Sequence, residues 1–346
     1  FLMLAVWWAW IYTTWITNWL DPEHPLVRAM LFALMAAGLV LSTSLTDAFD
    51  GRALPFAAAY VSIQVGRTLF MLWACRHEAP LCRNFQRVLA WLATSGVVWI
   101  AGAFAEGTAR FALWGLALGI EYISPAVAFW TPGLGRTPTH DWNVEGGHMA
   151  ERCGLFIIIC LGESILVTGA TFAELAWSPS VVAAFATAFV GSVALWWIYF
   201  SAHADMASHA ISESADPGRI ARVSYTYAHI PLVAGIIVTA AGDELVLAHP
   251  SGLLSPAIAW VLVGGPALFL AGALWFKWSV FRVIARPRAT GLLLLLGTGA
   301  LTPWLTPLGL SAAVTGVLVL VGAWETWIRF RQGHDATAPL PTHKPA

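Results

Sequence analysis

Along this chain, apolar runs long enough to cross a bilayer alternate with short polar breaks marked by charge, proline and glycine. The runs fall at about 1–19, 26–46, 53–76, 84–104, 109–131, 148–172, 179–203, 219–241, 254–277, 288–304 and 309–330. None shows the strict alternation over about ten residues that a membrane barrel strand requires. The pattern predicts an all-α polytopic membrane protein with eleven transmembrane helices in this chain. Its parts are an N-terminal half of the helix bundle over 1–131, a cytoplasmic loop over 132–147, a C-terminal half over 148–330 and a tail over 331–346. The tail is Pro-rich from Gln332 to Ala346 and reads as disordered and cytoplasmic. A second long break, about 204–218, is also expected on the cytoplasmic side.

Composition agrees with this pattern. Hydrophobic residues make up 58% of the chain and charged residues 11%, against about 25% charged in a soluble domain. The basic residues are placed asymmetrically. Arg28, Arg76, Arg83, Arg87, Arg136, Arg219, Arg222, Lys277, Arg282, Arg286, Arg288, Arg329, Arg331 and Lys344 fall at loops or helix ends on one side, and only Arg52 and Arg110 on the other. The first group is therefore read as cytoplasmic, which puts the C-terminus on the cytoplasmic side of the cell's inner (plasma) membrane. Eleven passes counted back from there put Phe1 outside, so a further helix is expected before it, making twelve. A net charge of −1, with no basic run interleaved with aromatics, argues against nucleic acid as a partner. Cys75 and Cys82 lie near a cytoplasmic loop, Cys153 and Cys160 lie within a helix, and no pair reads as an oxidised framework.

Charges inside the apolar runs carry the functional argument. The stretch from His148 to Leu166 opens with His148, Glu151 and Arg152 and carries Glu163 into its own middle. At about 1.5 Å per residue, Glu163 lies about 16 Å beyond Arg152, near the midplane of a hydrocarbon core about 30 Å thick. An acid at that depth marks a pathway or a structural ion pair. Arg67 is the expected partner, with Glu121 as a competitor for it. Tyr60, Gln64 and Arg67 recur at i, i+4 and i+7 and so line one face of their helix. Glu121 is also near mid-depth, and Pro125 removes the amide that would bond the Glu121 carbonyl, leaving that oxygen for a cation, water or a packing kink. In Tyr225-Thr-Tyr-Ala-His229-Ile-Pro231, His229 shares a face with Tyr225 and suits either an interhelical hydrogen bond or a proton pathway. By depth arithmetic Arg67, Glu121, Glu163 and His229 share a slab about 6 Å deep, with His148, Glu151 and Arg152 at its cytoplasmic mouth.

Two further patterns stay open at this level. Twenty Trp residues, among them Trp7, Trp8, Trp10, Trp15 and Trp19, fit packing and lipid contact or an aromatic-lined cavity for an organic or cationic ligand. Trp10-Ile-Tyr12 is echoed by Trp197-Ile-Tyr199, and Gly119-Ile-Glu121 by Ala323-Trp-Glu325. The echo fits two six-helix parallel repeats, and equally chance recurrence in Trp-rich apolar sequence.

No soluble-enzyme motif is present, and no catalytic residue, cofactor or metal is assigned. His140, Asp141, Glu145, His148 and Glu151 match no zinc template. The chain resembles the bacterial low temperature requirement protein A family, LtrA. Four stretches carry the resemblance: Trp7 to Tyr12 leading to Asp21; Gly66-Arg67; Tyr227-Ala-His229-Ile-Pro231; and His148 to Ser164, read as H-x-x-E-R-x-G-L-F-x-x-I-x-x-G-E-S. The resemblance implies a multi-pass membrane protein and no settled substrate. The leading expectation is a secondary transporter or proton/ion-coupled carrier, with the lipid bilayer and a small-molecule or ion substrate as partners and a homodimer through Trp- and Gly-rich faces. A membrane-embedded enzyme or cofactor- or lipid-binding protein using the same pocket, and a structural membrane protein without turnover, are the alternatives.

Overall fold

The computed structural model describes residues 1–137, 139, 142, 144–201, 214 and 216–331. The expectations for the tail, for most of the 204–218 break and for His140 and Asp141 lie outside the described residues.

Within them, the chain is a succession of helices: α1 (Leu2–Thr17), α2 (Pro25–Ser44), α3 (Ala53–Val61), α4 (Arg67–Ala74), α5 (Ala79–Phe104), α6 (Gly107–Ile123) and α7 (Gly146–Glu174), followed by α8 (Pro179–Phe200), α9 (Pro217–Ala221), α10 (His229–Ala248), α11 (Pro256–Phe281), α12 (Arg286–Ala300) and α13 (Pro307–Arg331). A π turn, Ser62–Gly66, joins α3 to α4, and a second, Arg222–Tyr227, leads through Ala228 into α10. Seven helical runs are long and apolar enough to cross a membrane: α2, α5, α7, α8, Pro217–Ala248, α11 and α13. This makes the chain an all-α membrane protein.

Local chemistry explains where the helices begin. Pro25, Pro179, Pro256 and Pro287 sit in first turns, where a missing N–H costs nothing. His24, Ser178 and Ser255 cap the helices that follow them, accepting from Leu26, Val181 and Ile258 backbone N–H groups.

Four helix C-terminal ends differ by four residues or more from expectation, among them the run expected to end near 304, which stops at Ala300. The run expected over 109–131 stops at Ile123, because Pro125 interrupts the ladder and the chain turns through Ala128 and Phe129, both at positive φ. The run expected to end near 241 continues to Ala248, and the one expected to end near 277 continues to Phe281. In both, continuous apolar periodicity carries the helix past charged positions, Asp243 and Glu244 in one and Lys277 in the other.

The described helices group into two compact units, Phe1–Glu145 with Ala215–Arg219, and Gly146–Ser214 with Ile220–Ala346. The core of the first unit is aromatic. Phe56, Tyr60, Trp99 and Trp114 are fully buried, with Trp99 4.9 Å from Tyr60 and 5.2 Å from Trp114 between ring centroids. Trp114 also donates from Nε1 to the Trp99 carbonyl, at 3.0 Å. The second unit is held by close backbone approach. A Cβ on Gly235 of α10 would lie 2.5 Å from the Phe269 amide, and one on Gly265 of α11 would lie 2.7 Å from the Thr239 amide. Small residues let two helices approach where lipid supplies no hydrophobic drive between them.

Candidate functional site: two buried polar networks

In the first unit, Glu121 is the centre of the buried chemistry. Its side chain on α6 is 1% exposed. One carboxylate oxygen accepts from Ser95 Oγ at 2.7 Å and from Trp99 Nε1 at 3.0 Å, both on α5, and the other accepts from the Tyr60 hydroxyl on α3. Three neutral donors from two helices thus surround one acid, the arrangement that suits a charged carboxylate. The Glu121 carbonyl, expected to be left open by Pro125, is instead taken by the Ser124 hydroxyl at 2.7 Å.

From Tyr60 the network continues. Gln64 donates from Nε2 to the Tyr60 oxygen at 3.2 Å, and its own Oε1 accepts from Arg67 Nη2. Arg67 Nη1 donates to the Ala9 carbonyl at 2.9 Å and to Thr13 Oγ1 at 2.7 Å, both on α1. Its guanidinium also lies 5.7 Å from the Tyr12 ring centroid. Arg67, Gln64 and Tyr60 are each buried to within 1%. A cation and an anion are therefore joined, inside one unit, through two neutral groups rather than by direct contact. The π turn at Ser62–Gly66 lies between Tyr60 and Arg67 and contains Gln64; such turns recur at functional positions in helices.

The second unit holds two polar groupings. His229, fully buried at the start of α10, donates from Nδ1 to the Ser224 carbonyl (2.8 Å) and meets the Tyr199 hydroxyl at Nε2 (2.9 Å). The Tyr225 ring lies tilted against it at 5.7 Å between centroids, and the Tyr225 hydroxyl has no partner among the described residues. The other grouping is centred on Glu325 of α13. Arg288, 1% exposed, binds it through two parallel hydrogen bonds of 2.8 and 3.1 Å, Lys277 lies 3.7 Å away, and Ser201 donates at 3.3 Å. Arg288 is further anchored to the Ala273 and Ile198 carbonyls.

The other singled-out residues sit differently. Glu163 has an exposed side chain on α7, and the hydrogen bonds of Arg67 go to α1 and to the π turn, with no carboxylate within ion-pair distance among the described residues. At the start of α7, Glu151 is exposed while His148 and Arg152 are half-buried. Ser95 and Trp99 escaped the sequence reading because each is ordinary in an apolar helix, and Tyr199 entered it only through the echo of Trp10-Ile-Tyr12. Arg288 escaped it because it stands at a helix start, where basic residues mark an interface. The signal for Glu325 was present: it lies inside the last apolar run and echoes the Glu121 stretch.

Comparison with known proteins places this architecture. The family model described as bacterial low temperature requirement A protein (LtrA) matches residues 1–323. The chain belongs to the LtrA family. The uncharacterized protein RA0937 of Rhizobium meliloti (strain 1021) is 39% identical over 327 residues, covering 93% of this chain and 79% of its own. No solved structure matches this LtrA chain.

Proposed function

We propose that this LtrA-family membrane protein is a secondary transporter or proton/ion-coupled carrier, with Glu121 as the group that takes up and releases the coupling ion. The observation that carries the reading is the buried chain Arg67–Gln64–Tyr60–Glu121. It connects a permanent cation to a protonatable acid through groups that can exchange donor and acceptor roles. A protonated Glu121 donates from the oxygen that otherwise accepts from Tyr60, so the Tyr60 hydroxyl reverses and becomes an acceptor, while Ser95 and Trp99 keep the other oxygen. The displaced phenol hydrogen then competes with Gln64 Nε2 beside the same oxygen, and the hydrogen bond from Arg67 to Gln64 changes in turn. Ionisable groups inside a bilayer are costly and are kept where ions or substrates pass.

In the same reading, all eleven helical runs cross the membrane with the C-terminus cytoplasmic, and the two halves are parallel repeats. Each half carries a buried acid on its last helix, Glu121 and Glu325. Within the second unit, Glu163 and His229 with Tyr225 are its own candidate pathway residues, and His148, Glu151 and Arg152, at the start of α7, are its candidate cytoplasmic mouth.

The test is proton flux in proteoliposomes carrying a pH-sensitive dye. Wild-type protein is expected to dissipate an imposed pH gradient, and Glu121→Gln, which keeps shape and most hydrogen bonds, to abolish the flux while remaining folded. Undiminished flux in a folded Glu121→Gln protein excludes this role.

A further inference from the structure

At the end of the first unit where α4 gives way to α5 there is a cavity of about 680 Å³, separate from the Glu121 network. It lies among Arg83, Arg87 and Arg136, with His77 and one acid, Glu78, on its wall. Three guanidinium groups against one carboxylate leave two positive charges in excess. Arg87 is 9% exposed, and it donates to neutral acceptors, the Leu134 carbonyl and Thr137 Oγ1. These bonds fix the 131–137 turn against α5, and Arg83 and Arg136 stand exposed on either side.

Two buried polar atoms of the wall have no partner among the described residues, Asn84 Oδ1 and Trp142 Nε1, and the Asn84 side chain is 7% exposed. An indole N–H can only donate, and an amide whose oxygen and nitrogen exchange places presents donors as well. Buried polar atoms in native proteins find partners. Trp142 Nε1 is an unpartnered donor, and the Asn84 amide, turned so that its nitrogen takes the place of its oxygen, adds donors beside it, a set that suits an acceptor-rich ligand inside an excess of positive charge. Trp19 and Trp142 line the same cavity, as amphipathic rings do at headgroup level. The volume falls in the range of small-molecule sites.

We propose that this cavity binds a phosphate group, either the headgroup of an anionic phospholipid or a free phosphate compound. Arg83 and Arg136 close on the phosphate oxygens, Arg87 holds the floor and supplies field, and Trp142 Nε1 and the Asn84 amide complete the donor set. Guanidinium groups are suited to this, since their planar fork matches phosphate geometry. Basic pockets at the ends of membrane helices recognise lipid headgroups by the same chemistry.

The test uses the full chain in nanodiscs and two probes. In discs of phosphatidylcholine doped with phosphatidylglycerol, native mass spectrometry after release reads which lipid stays bound. In discs of phosphatidylcholine alone, phosphorus NMR line broadening reads binding of inorganic phosphate. The expected result is preferential retention of phosphatidylglycerol, broadening of phosphate, or both. Arg83→Gln with Arg136→Gln is expected to weaken whichever is seen roughly twenty-fold. Both arginines are exposed, so the double variant keeps the fold, which its thermal unfolding verifies. Lipid retention alone identifies a headgroup site, and phosphate binding alone a soluble ligand. Absence of both, or binding unchanged in the double variant, overturns the proposal. Because the proton-flux assay does not involve these arginines, failure here leaves the Glu121 reading intact.

Discussion

Tyr60 and Glu121, 61 residues apart in the chain, share a buried hydrogen bond in which the phenol donates to the carboxylate. The bond ties α3 to α6 across the face of α5 that presents Ser95 and Trp99. It is also the point at which the arginine end of the network meets the acid end.

Tyr60→Phe keeps the ring among Phe56 and Trp99 and removes only the hydroxyl. It strips one donor from Glu121 and leaves Gln64 Nε2 without its acceptor. The expected cost is about 1–3 kcal/mol of stability, read as a lower thermal unfolding midpoint in detergent. Proton flux is expected to fall by a smaller factor than in Glu121→Gln, because Ser95 and Trp99 still serve the carboxylate.

The Arg288–Glu325 pair provides a sharper contrast. Glu325→Gln leaves the buried Arg288 and the half-buried Lys277 without their anion, and breaking such a buried pair costs about 3–5 kcal/mol. Replacing Arg288 and Glu325 together by leucines of matched volume is expected to recover most of that loss. A double-mutant cycle on unfolding midpoints checks it; strictly additive single losses contradict a coupled pair.

Gly235→Ala tests the close packing of α10 on α11. The added Cβ would meet the Phe269 amide and the Gly265 carbonyl, at 2.5 and 2.8 Å. Backbone cannot yield as a flexible side chain can, so the helices must separate. Destabilisation of about 1–3 kcal/mol is expected. The same change at Gly264, whose Cβ would meet nothing within 4 Å, is expected to be neutral and serves as the control.

Cys75 and Cys82 carry free thiols whose sulfurs lie 2.8 Å apart across the turn from α4 to α5. Treatment with a thiol oxidant such as diamide is expected to link them within the chain. Intact-mass analysis should show the loss of two hydrogens, together with loss of maleimide labelling at both positions. Unchanged labelling under conditions that oxidise a small dithiol contradicts this geometry.

How much of this was legible beforehand depended on the direction of the contact. The Tyr60–Gln64–Arg67 stripe could be read from spacing alone, because neighbours along one helix follow from its period. Helix positions were equally legible, since bilayer thickness sets the length of an apolar run. Depth arithmetic located Glu121 and Glu163 alike along the membrane normal, but depth says nothing of azimuth. Glu121 turns into the unit and Glu163 has an exposed side chain. Partners on other helices, Ser95 and Trp99 above all, are unremarkable serines and tryptophans until packing brings them to the acid. Cys75 and Cys82 gave no sign of pairing because seven residues of separation matches no framework, and only the turn brings them together.

The π turn between α3 and α4 sets the azimuth of Arg67 relative to Tyr60. A π turn accommodates one residue more than the α-helical path beside it. Relaxing it into regular α-helix would swing everything downstream by about 100° about the axis. Arg67, the first residue past the turn, would leave the Ala9 and Thr13 oxygens, while Tyr60, upstream, would stay beside its acid. The one extra residue in this turn is thus what keeps Arg67 on the face that, through Gln64 and Tyr60, reaches the acid.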